Sequence, residues 1–414
     1  MGDKAVNQDL SIPFHRPSIG QEEIDEVVAT LRSGWLTTGP RTAQFEREFR
    51  DYVGAPHALA VNSCTAGLHL ALAALKIGPG DEVITTPLTF CATVNTILHV
   101  GATPVLADVG PDGNIDPCAI AERMTDRTRA VIPVHLAGLP CDLESIWSLA
   151  GRYGLNVVED AAHATGSHYR GVPIGSADTA TGARSDVVAY SFYATKNLTT
   201  GEGGMVTTHD QSLAEAMRCL CLHGISKDAW NRYAGRGNWY YEVLACGFKY
   251  NLSDIQAAIG LHQLRKLERF IEIRKRLAQR YHSGLINIAE VEVPRDVSYG
   301  RNAWHLYMLR LNLQLLKIDR AEFIQRLLQK GIGTSVHFIP IPMHPFFAEH
   351  ASRPQNHCPR ALELYSRLIS LPLYPGMTEE QVDYVVNAIK EISLAARKMT
   401  SIAPGTDGVE AAVA

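Results

Sequence analysis

Alternation is the feature that most restricts what this chain can fold into. Short apolar runs rich in β-branched residues recur at Ala58–Val61, Val83–Thr86, Pro104–Ala107, Ala130–Val134, Asn156–Val158 and Val187–Phe192, and a further one follows at Met205–Thr208. Runs this continuous fit strands buried on both faces. Helical patterns fill most of the gaps. Thr65–Ile77 sets Leu68, Leu72 and Leu75 on one face and stops at Gly78; Leu143–Tyr153 has the same period and stops at Gly154. Strand–helix alternation of this kind requires a mostly parallel sheet with helices on both sides. One connection is too short for a crossover helix, that between Phe192 and Gly204. The Met205 strand is therefore expected to run antiparallel to its neighbour, and the tight segment before it carries Lys196.

Past this point the pattern changes. Ser253 with Gln256 three residues later forms a capping box, and a long amphipathic helix follows with Ala257, Ile259, Leu261, Leu264 and Leu267. Short strands at Leu306–Leu311 and Thr334–Ile339 mix with helices at Ala321–Lys330 and Val382–Ile392. These predict a large domain over residues 12–265, a smaller α+β domain over 266–395 and a loose tail over 396–414.

Composition narrows the function. With 46% hydrophobic and 20% charged residues the chain is neither disordered nor fibrous. Its 39 basic and 43 acidic residues give a net charge of −4, which argues against a nucleic-acid partner. The charged stretch Arg265–Arg276 accordingly reads as a solvated helix face. No apolar run approaches the roughly 20 residues that span a bilayer, and Met1–Leu10 has no signal-peptide core. No membrane association and a cytoplasmic location are the expectation. The eight cysteines include no C-x-x-C pair and read as reduced thiols; the 16 histidines show no ligand spacing, so no metal is expected.

Three fragments carry chemistry. Val61-Asn-Ser-Cys-Thr-Ala-Gly67 joins a strand to a helix start, where free N–H groups and the helix dipole favour a phosphate; a plain N-cap by Ser63 or Thr65 fits as well. Val157-Val-Glu-Asp-Ala-Ala-His163 ends a strand at Asp160, at the sheet edge where open α/β folds bind ligands. Asp160 is either a buried carboxylate that needs a donor or a helix cap. Lys196 lies on the tight segment beyond Tyr190, before Gly201, Gly203 and Gly204. A lysine desolvated there has a lowered pKa and serves as an amine nucleophile. A phosphate cup, a buried carboxylate and such a lysine on one edge are together what pyridoxal 5'-phosphate (PLP) requires.

At this point the sequence resembles a known family, the DegT-like sugar aminotransferases of the fold type I PLP enzymes. The resemblance runs from about Ile12 to Ile392. It is carried by Asn62-Ser-Cys-Thr-Ala66, Pro79-Gly-Asp-Glu-Val-Ile84, Thr89-Phe-Cys-Ala-Thr-Val-Asn95, Pro133-Val-His135, Glu159-Asp-Ala-Ala-His-Ala164 and Lys196-Asn-Leu-Thr-Thr-Gly-Glu-Gly-Gly-Met205. It implies a seven-stranded, mostly parallel sheet sandwiched by helices, with a smaller C-terminal domain. It implies that Lys196 forms the Schiff base and moves the proton, that Asp160 pairs with the pyridine nitrogen, and that His163 bonds the phenolic oxygen. Phe90 would stack on the ring, and Ser63, Cys64, Thr65, Ala66 and Ser191 would lie around the phosphate. Asn251 would reach the partner's cofactor in a homodimer. Trp35, Thr38, His305, Tyr307 and His337 would lie near the sugar, although His337 reads equally as a buried strand histidine.

The implied reaction moves an amino group from an amino acid, expected to be L-glutamate, through pyridoxamine 5'-phosphate (PMP) to a keto sugar. The expected acceptor is a nucleotide-linked 4-keto or 3-keto deoxysugar. Arg32, Arg41, Arg232 and Arg301 are candidates to hold its diphosphate. Rival readings are a sugar dehydratase, in which relatives carry His in place of Lys196, an aminotransferase acting on a keto-cyclitol without a nucleotide, and a non-catalytic regulator. A nicotinamide enzyme is disfavoured because no G-x-G-x-x-G occurs.

Overall fold

The computed structural model describes residues 11–226, 240–295, 297–350 and 357–398. Seven strands form the central sheet: β1 (His57–Val61), β2 (Glu82–Thr85), β3 (Thr103–Leu106), β4 (Thr128–Ile132), β5 (Asn156–Asp160), β6 (Val187–Ser191) and β7 (Gly204–Thr208). Their spatial order is β1-β7-β6-β5-β4-β2-β3. The pairs β2–β3, β2–β4, β4–β5 and β5–β6 are parallel. β7 alone runs against its neighbours, pairing antiparallel with both β6 and β1. Each expected strand is present, and the reversal falls where the short connection predicts it.

Helices cover both faces because every strand of the sheet is apolar on both. On one face Phe45, Phe49, Tyr190, Phe192 and Leu261 form a core. On the other, Leu68 and Leu72 of the Cys64–Ala74 helix cover Val158, Val187 and Val206. Leu143–Tyr153 is helical as expected and is capped by Asp142.

The second unit centres on a small antiparallel sheet of Val291–Glu292, Tyr307–Leu311 and Leu368–Leu371. The expected strand at Thr334–Ile339 is not one. That stretch meets the sheet only at Ser335, whose backbone bonds to Ser370 in both directions, and Pro340 and Pro342 then take it away. The C-terminal helix runs over Glu379–Ala396, and residues 399–414 of the expected tail lie outside the described residues.

A single 32-residue helix, Asp254–Leu285, crosses the expected division at residue 265 without a break. It is about 48 Å long at 1.5 Å per residue. Its N-terminal part puts Ala257, Leu261, Leu264, Leu267 and Ile271 into the large core, and its C-terminal part puts Leu277, Tyr281 and Leu285 into the small one. Among the described residues no helix is long and apolar enough to cross a membrane.

Candidate active site

A cavity of about 500 Å³ opens at the carboxyl ends of β5 and β6, facing the small unit. The Cys64 helix start, the end of β5, the hairpin after β6 and the 337–338 segment wall it. Ser63, Cys64, Thr65, Phe90, Asp160, His163, Ser191, Lys196, His305 and His337 all line it, so most of the residues expected from sequence meet in one space.

Asp160 is the last residue of β5 and is 5% exposed. Thr93 Oγ1 donates to its Oδ2 at 2.8 Å, and the Ala162 N–H donates to Oδ1 at 3.1 Å. The Cys64 thiol lies 3.8 Å from Oδ1. Burial pushes the carboxyl above the usual carboxylate range, while the Thr93 and Ala162 donors and the Lys196 charge pull the other way. Among the described residues Asp160 has no ion-pair partner. An enclosed carboxylate in this condition is completed by a cationic N–H donor. Thr93 is the principal residue missed from sequence. It stands in the Thr89–Asn95 motif, and Thr89 bonds its hydroxyl at 2.8 Å, so the signal was two hydroxyls one helical turn apart.

The helix start is built by close approach. Ser63 caps the helix, its Oγ accepting from the Ala66 N–H at 3.1 Å. The plain-cap reading therefore holds for Ser63, and the Ala66 N–H is taken up by it. The amides of Cys64 and Thr65, in the first turn, have no partner inside the helix. Gly204 in β7 makes this arrangement possible, because a Cβ there would lie 2.8 Å from the backbone of Ser63 and Cys64. That glycine makes room for the helix start rather than for a ligand.

Lys196 sits in a hairpin closed by Thr200 N–H to Phe192 O and Phe192 N–H to Gly203 O, each 2.9 Å. The residue is half-buried and lines the cavity. Desolvation brings its pKa down to about 8, against the opposing pull of Asp160 and Cys64. Four histidines surround this part of the molecule without adding charge. Burial holds His163 and His305 well below their ordinary value, and His15 and His337 at about 4. His163 Nδ1 accepts from the Ala137 N–H at 3.2 Å, so its proton is on Nε2. Phe338, also not singled out from sequence, stacks on the His163 ring at 5.6 Å and 20°. His305 lies 4.4 Å from His163 between ring centroids, and His337 Nδ1 bonds Ser370 Oγ at 2.9 Å. Phe90 is 59% exposed at the rim.

Other expected residues lie elsewhere. Tyr307 is fully buried in the small core, packed on Tyr281 at 4.9 Å, and does not reach the cavity. Trp304 has a left-handed φ of 48° and the strand begins only at Tyr307, so His305 reaches the cavity from the irregular segment before the strand while Tyr307 enters the small core. Trp35, Thr38 and Asn251 form a separate group outside the cavity. Asn251 Nδ2 donates to Thr38 Oγ1 at 2.7 Å, Thr38 Oγ1 donates to Leu252 O at 2.5 Å, and Trp35 Nε1 donates to Thr38 O at 3.1 Å. Asp254 anchors this group by accepting from the amides of Gly39, Arg41 and Thr42. Of the arginines considered, Arg41 pairs with Glu26 and Arg301 with Glu268, and Arg232 lies outside the described residues.

The residues present fit PLP. Asp160 suits a protonated ring nitrogen, the amides of Cys64 and Thr65 suit its phosphate, and Lys196 supplies the amine. Comparison with known proteins agrees. The model of the DegT/DnrJ/EryC1/StrS aminotransferase family matches residues 17–390. The spore coat polysaccharide biosynthesis protein SpsC of Bacillus subtilis is 50% identical over 383 residues, covering 92% of this chain and 97% of that protein. Among solved structures, Spr1654 from Streptococcus pneumoniae in its PLP form is 33% identical with a TM-score of 0.84, over 93% of this chain and 99% of that one. DesV from S. venezuelae is 34% identical with a TM-score of 0.83, over 92% and 98%. Fold and site thus define a PLP-dependent sugar aminotransferase. The chain belongs to the DegT/DnrJ/EryC1/StrS aminotransferase family.

Proposed function

We propose that the protein transfers the amino group of L-glutamate to a nucleotide-linked 4-keto or 3-keto deoxysugar, working as a homodimer in amino-sugar biosynthesis. The observation that carries this reading is an amine of pKa about 8 in the same cavity as a buried carboxylate that has no ion-pair partner among the described residues. Bound there, PLP would supply an electron sink for the electrons left when the amino-bearing carbon loses its proton.

The side chains divide the work. Asp160 holds the ring nitrogen, with Thr93 and Ala162 fixing the carboxylate. Lys196 Nζ takes a proton and returns it; a pKa of about 8 leaves part of the amine neutral near pH 7 and makes it competent in both directions. His163, protonated on Nε2, offers a donor to the phenolic oxygen. Ser191 and the Cys64 and Thr65 amides hold the phosphate, and Phe90 and Phe338 limit water at the rim. Asn251 with Thr38 and Trp35 lies outside its own cavity and suits the neighbouring protomer's site. SpsC acts in spore coat polysaccharide biosynthesis by its name, which supports a sugar acceptor.

The test is spectroscopic. Wild-type protein given PLP should show the absorbance of lysine-linked cofactor, and Lys196→Ala should lose it together with at least about 10³-fold of activity. L-glutamate should convert the wild type to the PMP form, and a panel of nucleotide keto sugars should convert it back. A protein that no amino donor converts would sink the transamination reading.

A further inference from the structure

The first described residues thread between the two cores and touch both sides of the cavity. Ile12 pairs with the small unit: its N–H donates to Gly331 O at 2.9 Å, and the Gly333 N–H donates to Ile12 O at 2.8 Å. Phe14 stacks on His337, with centroids 5.5 Å apart and planes at 25°. One residue on, His15 Nε2 lies 3.1 Å from Ala194 O. A carbonyl only accepts, so this ring nitrogen holds the proton and donates it. The same ring meets Tyr374 edge-on at 6.2 Å. Ala194 belongs to the turn that the Lys196 N–H closes on Tyr193 O at 2.9 Å. Among the described residues no other side chain anchors the Ala194 carbonyl.

We propose that His15 is a positioning residue for Lys196. Its ring N–H fixes the Ala194 carbonyl and ties the turn that carries the amine to the segment that also braces His337 and the edge of the small unit. Lys196 reaches its working position through four flexible side-chain bonds, so where its backbone sits decides where Nζ sits. A displacement of about 1 Å at a reacting group can cost on the order of 10²-fold in rate. His15 suits the task because it stays neutral: burial and the nearby Arg274 charge hold its pKa at about 4, so the bond persists over ordinary pH. This inference rests on the role given to Lys196 above.

Two variants separate donation from packing. His15→Gln keeps an N–H donor, and His15→Phe keeps a ring against Tyr374 without one. In His15→Phe we expect kcat to fall about tenfold with KM for the amino donor within about twofold. In the same variant without added cofactor, the amides of residues 193–200 should exchange with deuterium at least about tenfold faster than in wild type. His15→Gln should recover most of both. Unchanged exchange in His15→Phe overturns the proposal whatever kcat does, and so does an equal loss in His15→Gln, which would make packing the role. If His15→Phe does not fold, His15→Leu replaces it in both measurements. The exchange readout needs no turnover. A wild type without transaminase activity would therefore break the functional reading and still leave His15 to be judged.

Discussion

The floor and the mouth of the cavity are built by different means. The floor is made of strand ends and a helix start: Asp160 closes β5, Ser63 caps the Cys64–Ala74 helix, and Lys196 follows β6. Its groups are few, charged or hydroxyl-bearing, and locked by hydrogen bonds to Thr93, Ala162 and Ala66. The mouth is made of rings, among them Phe14, Phe90, His337 and Phe338, drawn from distant parts of the chain and held by stacking more than by hydrogen bonds. A floor of this kind suits chemistry that must be placed to a fraction of an ångström. A mouth of stacked rings suits recognition, because its parts can change one at a time without disturbing the floor.

Substitutions on either side can break that division. The largest effect is expected at the floor. Asp160→Asn removes the carboxylate that would hold the ring nitrogen and should lower kcat by roughly 10² to 10³-fold, with KM for the keto sugar within about threefold. Steady-state kinetics checks this, and a loss below about tenfold would erase the contrast. Next comes the mouth. His337→Ala should raise KM for the keto sugar about tenfold and leave kcat within about threefold; the reverse pattern would place His337 among the chemical groups.

A smaller effect concerns stability against pH. The native pKa of Lys196 is about 8 against an ordinary 10.5. Between those values the unfolded chain binds more protons than the folded one, so stability of the cofactor-free protein should rise with pH across that window. Below about pH 8 both states hold the proton and the slope vanishes. Urea midpoints across the window should show the rise in wild type and not in Lys196→Met. The smallest effect is expected at Tyr307, whose hydroxyl has no hydrogen-bond partner among the described residues. Tyr307→Phe should change stability by less than about 1 kcal/mol and leave KM unchanged. Altered sugar selectivity in that variant would extend the mouth into the small core.

Legibility in the sequence followed the same division. Ser63, Asp160 and Lys196 could be read because each sits at the end of an apolar run, where the parallel-sheet rule puts ligands. For Thr93 the Thr89–Thr93 spacing marked the hydroxyl but not its partner, since its bond to Asp160 depends on how the Cys91–His99 helix lies across the strand ends, 67 residues away in the chain. Tyr307 was expected near the sugar because the resemblance covers its segment as a whole, whereas the strand begins at Tyr307 itself and turns it into the small core. Thr334–Ile339 has the composition of a strand, but it meets the outer edge of Leu368–Leu371 only at Ser335–Ser370, and His337 and Phe338 line the cavity instead. Aromatic contacts such as Phe338 on His163 have no local signature, being meetings of residues far apart.

The Asp254–Leu285 helix has a consequence for how the molecule comes apart. Its N-terminal carboxylate also caps the Pro40–Val53 helix from outside, and its far end forms one wall of the small core. Melting the small core would strip the apolar cover from Leu277, Tyr281 and Leu285 and send an unwinding front toward Asp254. The two cores are thus joined like spans on one girder. Heat or denaturant should dismantle them in a single cooperative step, and a helix-breaking residue near Gly260 or Arg274 would uncouple that step into two.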